Sequence, residues 1–149
     1  MMKKKYRFFL LCFLLFPFVF LAAQQDNAAD PSLLVGMTLS DLIKNYGIPK
    51  NVYAVRGVAA WQDDVVFVYD VGDFYIIENR VWQLGLKSAY LIRAGDSRSA
   101  AFLNFGEALF IGMDYAVFPL KGKNWPLALR CNFDSAGKVT AIFMYRSDL

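Results

Sequence analysis

The sequence predicts an α+β protein of two tandem repeats, each a short helix followed by an antiparallel β-meander, packed as one unit. Three observations predict it. The punctuation of a helix bordered by Gly36 and Gly47 returns 59 residues later at Gly95 and Gly106. Each stretch is followed by short segments of alternating apolar and polar residues, bounded by turn formers. Trp61 stands ahead of one such segment and Trp125 ahead of another, which reads as a structural plug in each half. The implied boundaries are a first repeat over 35–88 and a second over 89–149. A helix this short covers little of a sheet, so the halves are expected to share one sheet or pack together.

The first helix is the best specified element. Thr38 is a good N-cap and Asp41, three residues on, suits the positive end of a helix. Leu39, Leu42, Ile43 and Tyr46 fall at helical spacing and form one apolar stripe. Gly47 can take a positive φ at the helix end, Ile48 can pack back, and Pro49 forbids continuation. In the second copy Ser97 replaces Thr38, Phe102 aligns with Ile43, and Phe105 with Tyr46.

Strand candidates in the first half are Asn51 to Arg56, Val65 to Asp70, Phe74 to Glu78 and Val81 to Leu86, with a tight turn at Asn79-Arg80. In the second half they are Tyr115 to Leu120, Leu127 to Phe133 and Val139 to Arg146, with Asp134-Ser135-Ala136-Gly137 as a hairpin loop.

The N-terminus reads as an export signal. Lys3, Lys4, Lys5 and Arg7 precede an apolar run from Phe8 to Ala23, and Leu21-Ala22-Ala23 offers a cleavage site before the polar residues that open a linker over 24–34. That run is short for a permanent span, so cleavage after Ala23 is expected, the alternative being an uncleaved anchor. Four of the 16 basic residues and none of the 13 acidic ones lie in this segment. The net charge of +3 therefore belongs to the signal, and nucleic-acid binding loses its electrostatic support. The chain has no histidine, which removes histidine bases, triads and metal ligands. Cys12 lies inside the apolar run, and no cysteine stands at the cleavage site for a lipid. Cys131 is then the single thiol of the mature chain, read as buried and inert.

The Gly36-Met37-Thr38 opening, the short helix and Tyr46-Gly47-Ile48-Pro49 together resemble the SmpA/OmlA family of small outer-membrane assembly lipoproteins. The tandem arrangement resembles the β-lactamase inhibitor protein architecture, where two helix-plus-sheet repeats form a concave surface. The match covers Val35 to Pro49, with an echo at Gly95 to Gly106 that lacks both Met and Pro. The resemblance implies a binding scaffold. It departs from the assembly lipoproteins in having no lipobox, and it carries over no inhibitor-loop residue.

Alternation assigns the strand faces. Val65, Phe67, Tyr69, Leu129, Cys131, Phe133, Val139, Ala141, Phe143 and Tyr145 are expected under the helices. The opposite face then holds Val66, Val68, Asn132, Thr140 and Ile142 around a candidate binding set: Asp64, Asp70, Trp82, Leu84, Arg130, Met144 and Arg146. A face with Trp, Met and two Arg has the composition of an interface, centred on Trp82. The competing reading is that something covers these residues or that the faces are inverted.

Asp63, Asp64, Asp70 and Asp73 form the densest acidic group. Their spacing fits no calcium loop, and alternation sends Asp63 and Asp64 to opposite faces, so strand-end ion pairs with Arg56, Arg80 or Arg130 are expected instead. No cofactor or metal is expected. The function predicted is an exported, periplasmic or secreted, non-enzymatic module that binds another protein. The alternatives are a structural cell-envelope component assisting outer-membrane protein assembly and, last, a carboxylate-dependent hydrolase.

Overall fold

Thr38 and Ser97 each cap a two-turn helix through a side-chain oxygen. Thr38 Oγ1 accepts from the Asp41 N–H at 3.1 Å and Ser97 Oγ from the Ala100 N–H at 3.1 Å. The helices are α1 (Leu39–Tyr46) and α2 (Arg98–Phe105), and they stop at Gly47 and Gly106, with φ of 75° and 79°. The computed structural model describes residues 30–57, 63–121 and 124–149. The expected export signal over 1–23, the linker up to residue 29, and Trp61 lie outside these residues.

Among the described residues ten strands accompany the helices. Between them run β1 (Asn51–Val55), β2 (Asp64–Tyr69), β3 (Gly72–Ile77), β4 (Arg80–Leu86), β5 (Ser88–Ala89) and β6 (Ile92–Arg93). After α2 come β7 (Phe110–Ile111), β8 (Tyr115–Leu120), β9 (Leu127–Phe133) and β10 (Val139–Arg146). Eight form one antiparallel sheet in the order β1-β2-β3-β4-β10-β9-β8-β7, and β5 and β6 make a separate small hairpin.

This corrects the expected fold class. The organising unit is one continuous sheet, not two tandem helix-plus-meander repeats. The last strand returns to the middle, where Leu86, Gly85, Leu84 and Gln83 of β4 pair with Ile142, Phe143, Met144 and Tyr145 of β10. Both central strands are thus paired on both sides, and α1 and α2 share one core. Phe67, Phe74, Leu84, Met144, Leu129 and Phe118 stand directly opposite one another from β2 to β8, a single apolar row crossing six strands.

That row lies under the helices. Leu42 of α1 and Ala101 of α2 are fully buried in the same cluster, together with Ala89 and Ile92 of the small hairpin. Aromatic rings fill the space beneath each helix: Tyr46, Tyr69 and Phe74 under α1, and Phe102, Phe105 and Phe118 under α2. Trp125 packs against the edge of this core, under the guanidinium of Arg146 at 3.9 Å. Among the described residues no helix is long and apolar enough to cross a membrane.

Candidate functional site

The register fixes the face turned away from the helices. Tyr53, Val66, Tyr75, Gln83, Tyr145 and Ala128 follow one another across β1, β2, β3, β4, β10 and β9. A second row runs Val68, Asp73, Gly85, Phe143, Arg130 and Val117. Gly85 leaves room at the centre: a Cβ there would stand 3.6 Å from a Phe143 ring atom and 3.7 Å from one of Tyr75. These two rings meet edge to face, with centroids 6.4 Å apart.

A β-bulge delivers the site's tryptophan. Tyr75 opposes Gln83 while Ile76 opposes Val81, so Trp82 is the extra residue of β4. Its indole reaches back over β3, and Nε1 donates to Asp64 Oδ1 of β2 at 2.9 Å. Trp82, Tyr75, Gln83, Phe143, Tyr145, Arg130 and Asn132 line an open depression of about 460 Å³. Arg130 is held on two sides: its guanidinium lies 4.1 Å over the Tyr115 ring, and its Nε donates to Asn132 Oδ1 at 2.7 Å.

Burial sets the electrostatics. The Asp64 carboxyl is pushed above the ordinary carboxylate value by burial, against the lowering pull of the Trp82 N–H and with help from Asp63. Burial first, then the neighbouring Tyr53 and Asp73, push the Tyr75 hydroxyl up to about 12. Burial also raises Tyr145, and the positive charge of Arg130 partly offsets this.

The structure brings Asp64, Trp82 and Arg130 onto one face, as expected, and places the rest of the candidate set elsewhere. Leu84 and Met144 are fully buried in the core row. Arg146 lies on the core side, stacked on Trp125 and ion-paired with Asp148 at 2.8 Å. Asp70 stands exposed after β2 and pairs with Lys50, which holds its carboxyl below the ordinary value. The errors in β4 and β10 have one cause. The second bulge inserts Thr140, since Val139 opposes Phe133 and Ala141 opposes Asn132. Beyond each bulge the alternation flips, sending Leu84, Ile142, Met144 and Arg146 to the helix side and Phe143 and Tyr145 to the open side. These flips conceal Gln83, Phe143 and Tyr145, while Tyr75 of β3 is a lining residue that sequence reasoning did not single out.

A larger concavity of about 780 Å³ lies beside the β5–β6 hairpin. Its polar groups are engaged internally: the Tyr90 hydroxyl donates to Asp30 at 2.8 Å, and the Arg93 N–H to Asp96 at 2.9 Å. Among the described residues no group of three or more acidic or cysteine side chains is placed to hold a metal ion.

No family model matches the chain, and no curated protein matches it. Among solved structures, an extracellular protein containing a SCP domain from Bacillus anthracis str. Ames is similar over 99% of this chain and 51% of its own, at 12% identity and a TM-score of 0.52. A cysteine-rich secretory protein from Staphylococcus aureus subsp. aureus Mu50 is similar over 78% of this chain and 46% of its own, at 14% identity and a TM-score of 0.47. The chain thus spans about half the length of these proteins. At such identities the likeness is one of fold alone. Neither resemblance drawn from the Gly36 to Pro49 motif gains support from these comparisons.

Proposed function

We propose that this chain is an exported, non-enzymatic module that binds another protein through the sheet face opposite its helices. One observation carries the reading. The core side of the sheet is covered by α1, α2 and the small hairpin, whereas the other side carries half-buried Tyr75, Trp82, Phe143, Tyr145 and Arg130 around a depression. Tyr, Trp and Arg are the side chains enriched where binding energy concentrates. These half-buried rings still turn apolar edges toward the open depression, as the rings of interaction sites do.

Export is supported by the basic segment, apolar run and small-residue site over 1–23. It agrees with the extracellular description of the Bacillus anthracis protein that shares the fold. The lining offers rings, phenolic hydroxyls, amides and one guanidinium, groups suited to recognition of a polypeptide surface.

Site-specific photo-crosslinking tests the proposal. A benzoylphenylalanine placed at Gln83 of the full chain lines the depression, and one at Ser99 sits on the exposed side of α2. Protein adducts from Gln83 and none from Ser99, in envelope and culture-medium fractions, are the expected result. Adducts from Ser99 alone, or from neither, would overturn the assignment of the face.

A further inference from the structure

Arg130 stands mid-sheet, between Phe143 of β10 and Val117 of β8. Its guanidinium is held over Tyr115 and its Nε is spent on Asn132, and the two terminal nitrogens make no hydrogen bond among the described residues. Among the described residues the ion pairs join Lys50 to Asp70, Arg56 to Asp63, Arg93 to Asp96 and Arg146 to Asp148. None includes Arg130. Two half-buried carboxylates lie on this face: Asp64 is bonded by Trp82, and Asp73 stands three strands from Arg130 in the same row, with Gly85 and Phe143 between them.

A half-buried guanidinium without a counter-ion, walled by aromatic rings, is an incomplete ion pair. We infer that the Arg130 fork receives the side-chain carboxylate of an Asp or Glu in an extended segment of a partner polypeptide, whose neighbouring apolar residue seats against Trp82. This rests on the reading of the open face as a protein-binding surface, and names the chemistry it selects.

Three features favour that ligand. A guanidinium fork matches a carboxylate in two parallel hydrogen bonds. Arg130 is the one cation lining the depression among the described residues, which suits one negative charge rather than a phosphoryl group that calls for several. A chain-terminal carboxylate is captured by free backbone N–H groups, whereas β4, β10 and β9 are each paired with strands on both sides. Side-chain donors are therefore what the site offers.

Selection from a displayed library of short random peptides, with the full chain as bait, tests this. Binders to the wild type should be enriched in Asp or Glu beside an aromatic or aliphatic residue. Synthetic copies should lose affinity by about tenfold or more against Arg130→Gln, and also when their acid is replaced by its amide. Arg130→Lys should recover part of the loss, and thermal unfolding of each variant separates lost recognition from lost fold. Peptides that need Trp82 but bind Arg130→Gln equally well, or carry no acid, would overturn the carboxylate inference and leave the binding face standing. Failure of the wild type to select any peptide sensitive to Trp82→Ala would overturn both.

Discussion

The indole N–H of Trp82 and the carboxylate of Asp64 meet at 2.9 Å across an intervening strand, tying β4 to β2 over β3. The bulge makes this possible. An unbulged β4 would leave Trp82 in strict alternation, whereas the inserted position frees it to lie along the sheet toward Asp64. The bond fixes the ring that forms one wall of the depression and supplies the donor that half-buried Asp64 needs.

Trp82→Phe separates these roles, because it keeps an aromatic ring and deletes the N–H. Stability should fall by about 1 kcal/mol, the scale of one net hydrogen bond, and the Asp64 carboxyl should rise further once its lowering partner is gone. Thermal unfolding together with an NMR titration of Asp64 checks both. An unchanged titration would mean that the bond has no hold on the carboxylate.

Asp64 also makes a signed prediction about pH. Its folded-state value lies above its ordinary one, so its contribution favours the folded state in acid and is lost as pH rises through the folded value. Asp64→Asn keeps an oxygen to accept from Trp82 and removes the titration. The variant should therefore match or exceed the wild type at neutral pH, and the wild type should gain on it as pH drops below the raised value. Denaturant midpoints of both proteins across that range decide it.

Leu84→Ala and Met144→Ala test the corrected faces. Both side chains sit in the central row under the helices, fully buried, and each truncation should cost ~2–5 kcal/mol. Tyr145→Ala, on the open side, should cost less stability and more binding. The opposite ordering in chemical denaturation would restore the alternation that ignores the bulges.

Local signals were legible where they act through neighbours in sequence. Thr38 with Asp41, the turns at Gly47 and Gly106, and the Asp134 to Gly137 loop all formed as their chemistry dictates. In that loop Asp134 Oδ1 accepts from the Ala136 and Lys138 N–H groups at 2.9 and 2.8 Å. The tight turn fell one residue early, on Glu78 and Asn79 with φ of 47° and 65°. The β7 strand and the β5–β6 hairpin escaped because two residues are too few to show alternation. Bulges at Trp82 and Thr140 leave no mark in composition, and each reverses every face beyond it. The strand order was illegible for another reason: pairing of β4 with β10 is a long-range contact, which local punctuation does not encode.

Gly36 and Gly47 offer a controlled comparison. Both have positive φ, 88° and 75°, so alanine is strained at either. At Gly47 nothing lies within 4 Å of the added carbon, while at Gly36 it would stand 2.1 Å from Trp125 Nε1. Gly47→Ala should cost about 1 kcal/mol, the backbone penalty alone. Gly36→Ala should cost clearly more, because Trp125 must leave both the core edge and its stack on Arg146. Equal losses in thermal unfolding would show that the indole yields freely.

Cys131 reports on the centre of the sheet. It is fully buried on β9, opposite Ala116 of β8 and Ile142 of β10, and burial pushes its thiol up to about 11. At mildly alkaline pH the thiolate is therefore scarce, and no reagent reaches it through the packed strands. Alkylation followed at Cys131 by mass spectrometry should be negligible in the native chain and rapid in denaturant. Any slow native labelling must pass through opening of the sheet, so its rate should follow the opening equilibrium. Leu84→Ala, which weakens the same core row, should then accelerate labelling in proportion to its loss of stability, whereas Arg130→Gln on the open face should change it little. Fast labelling of the native wild type would place Cys131 within reach of solvent and contradict the packing of β9 between β8 and β10.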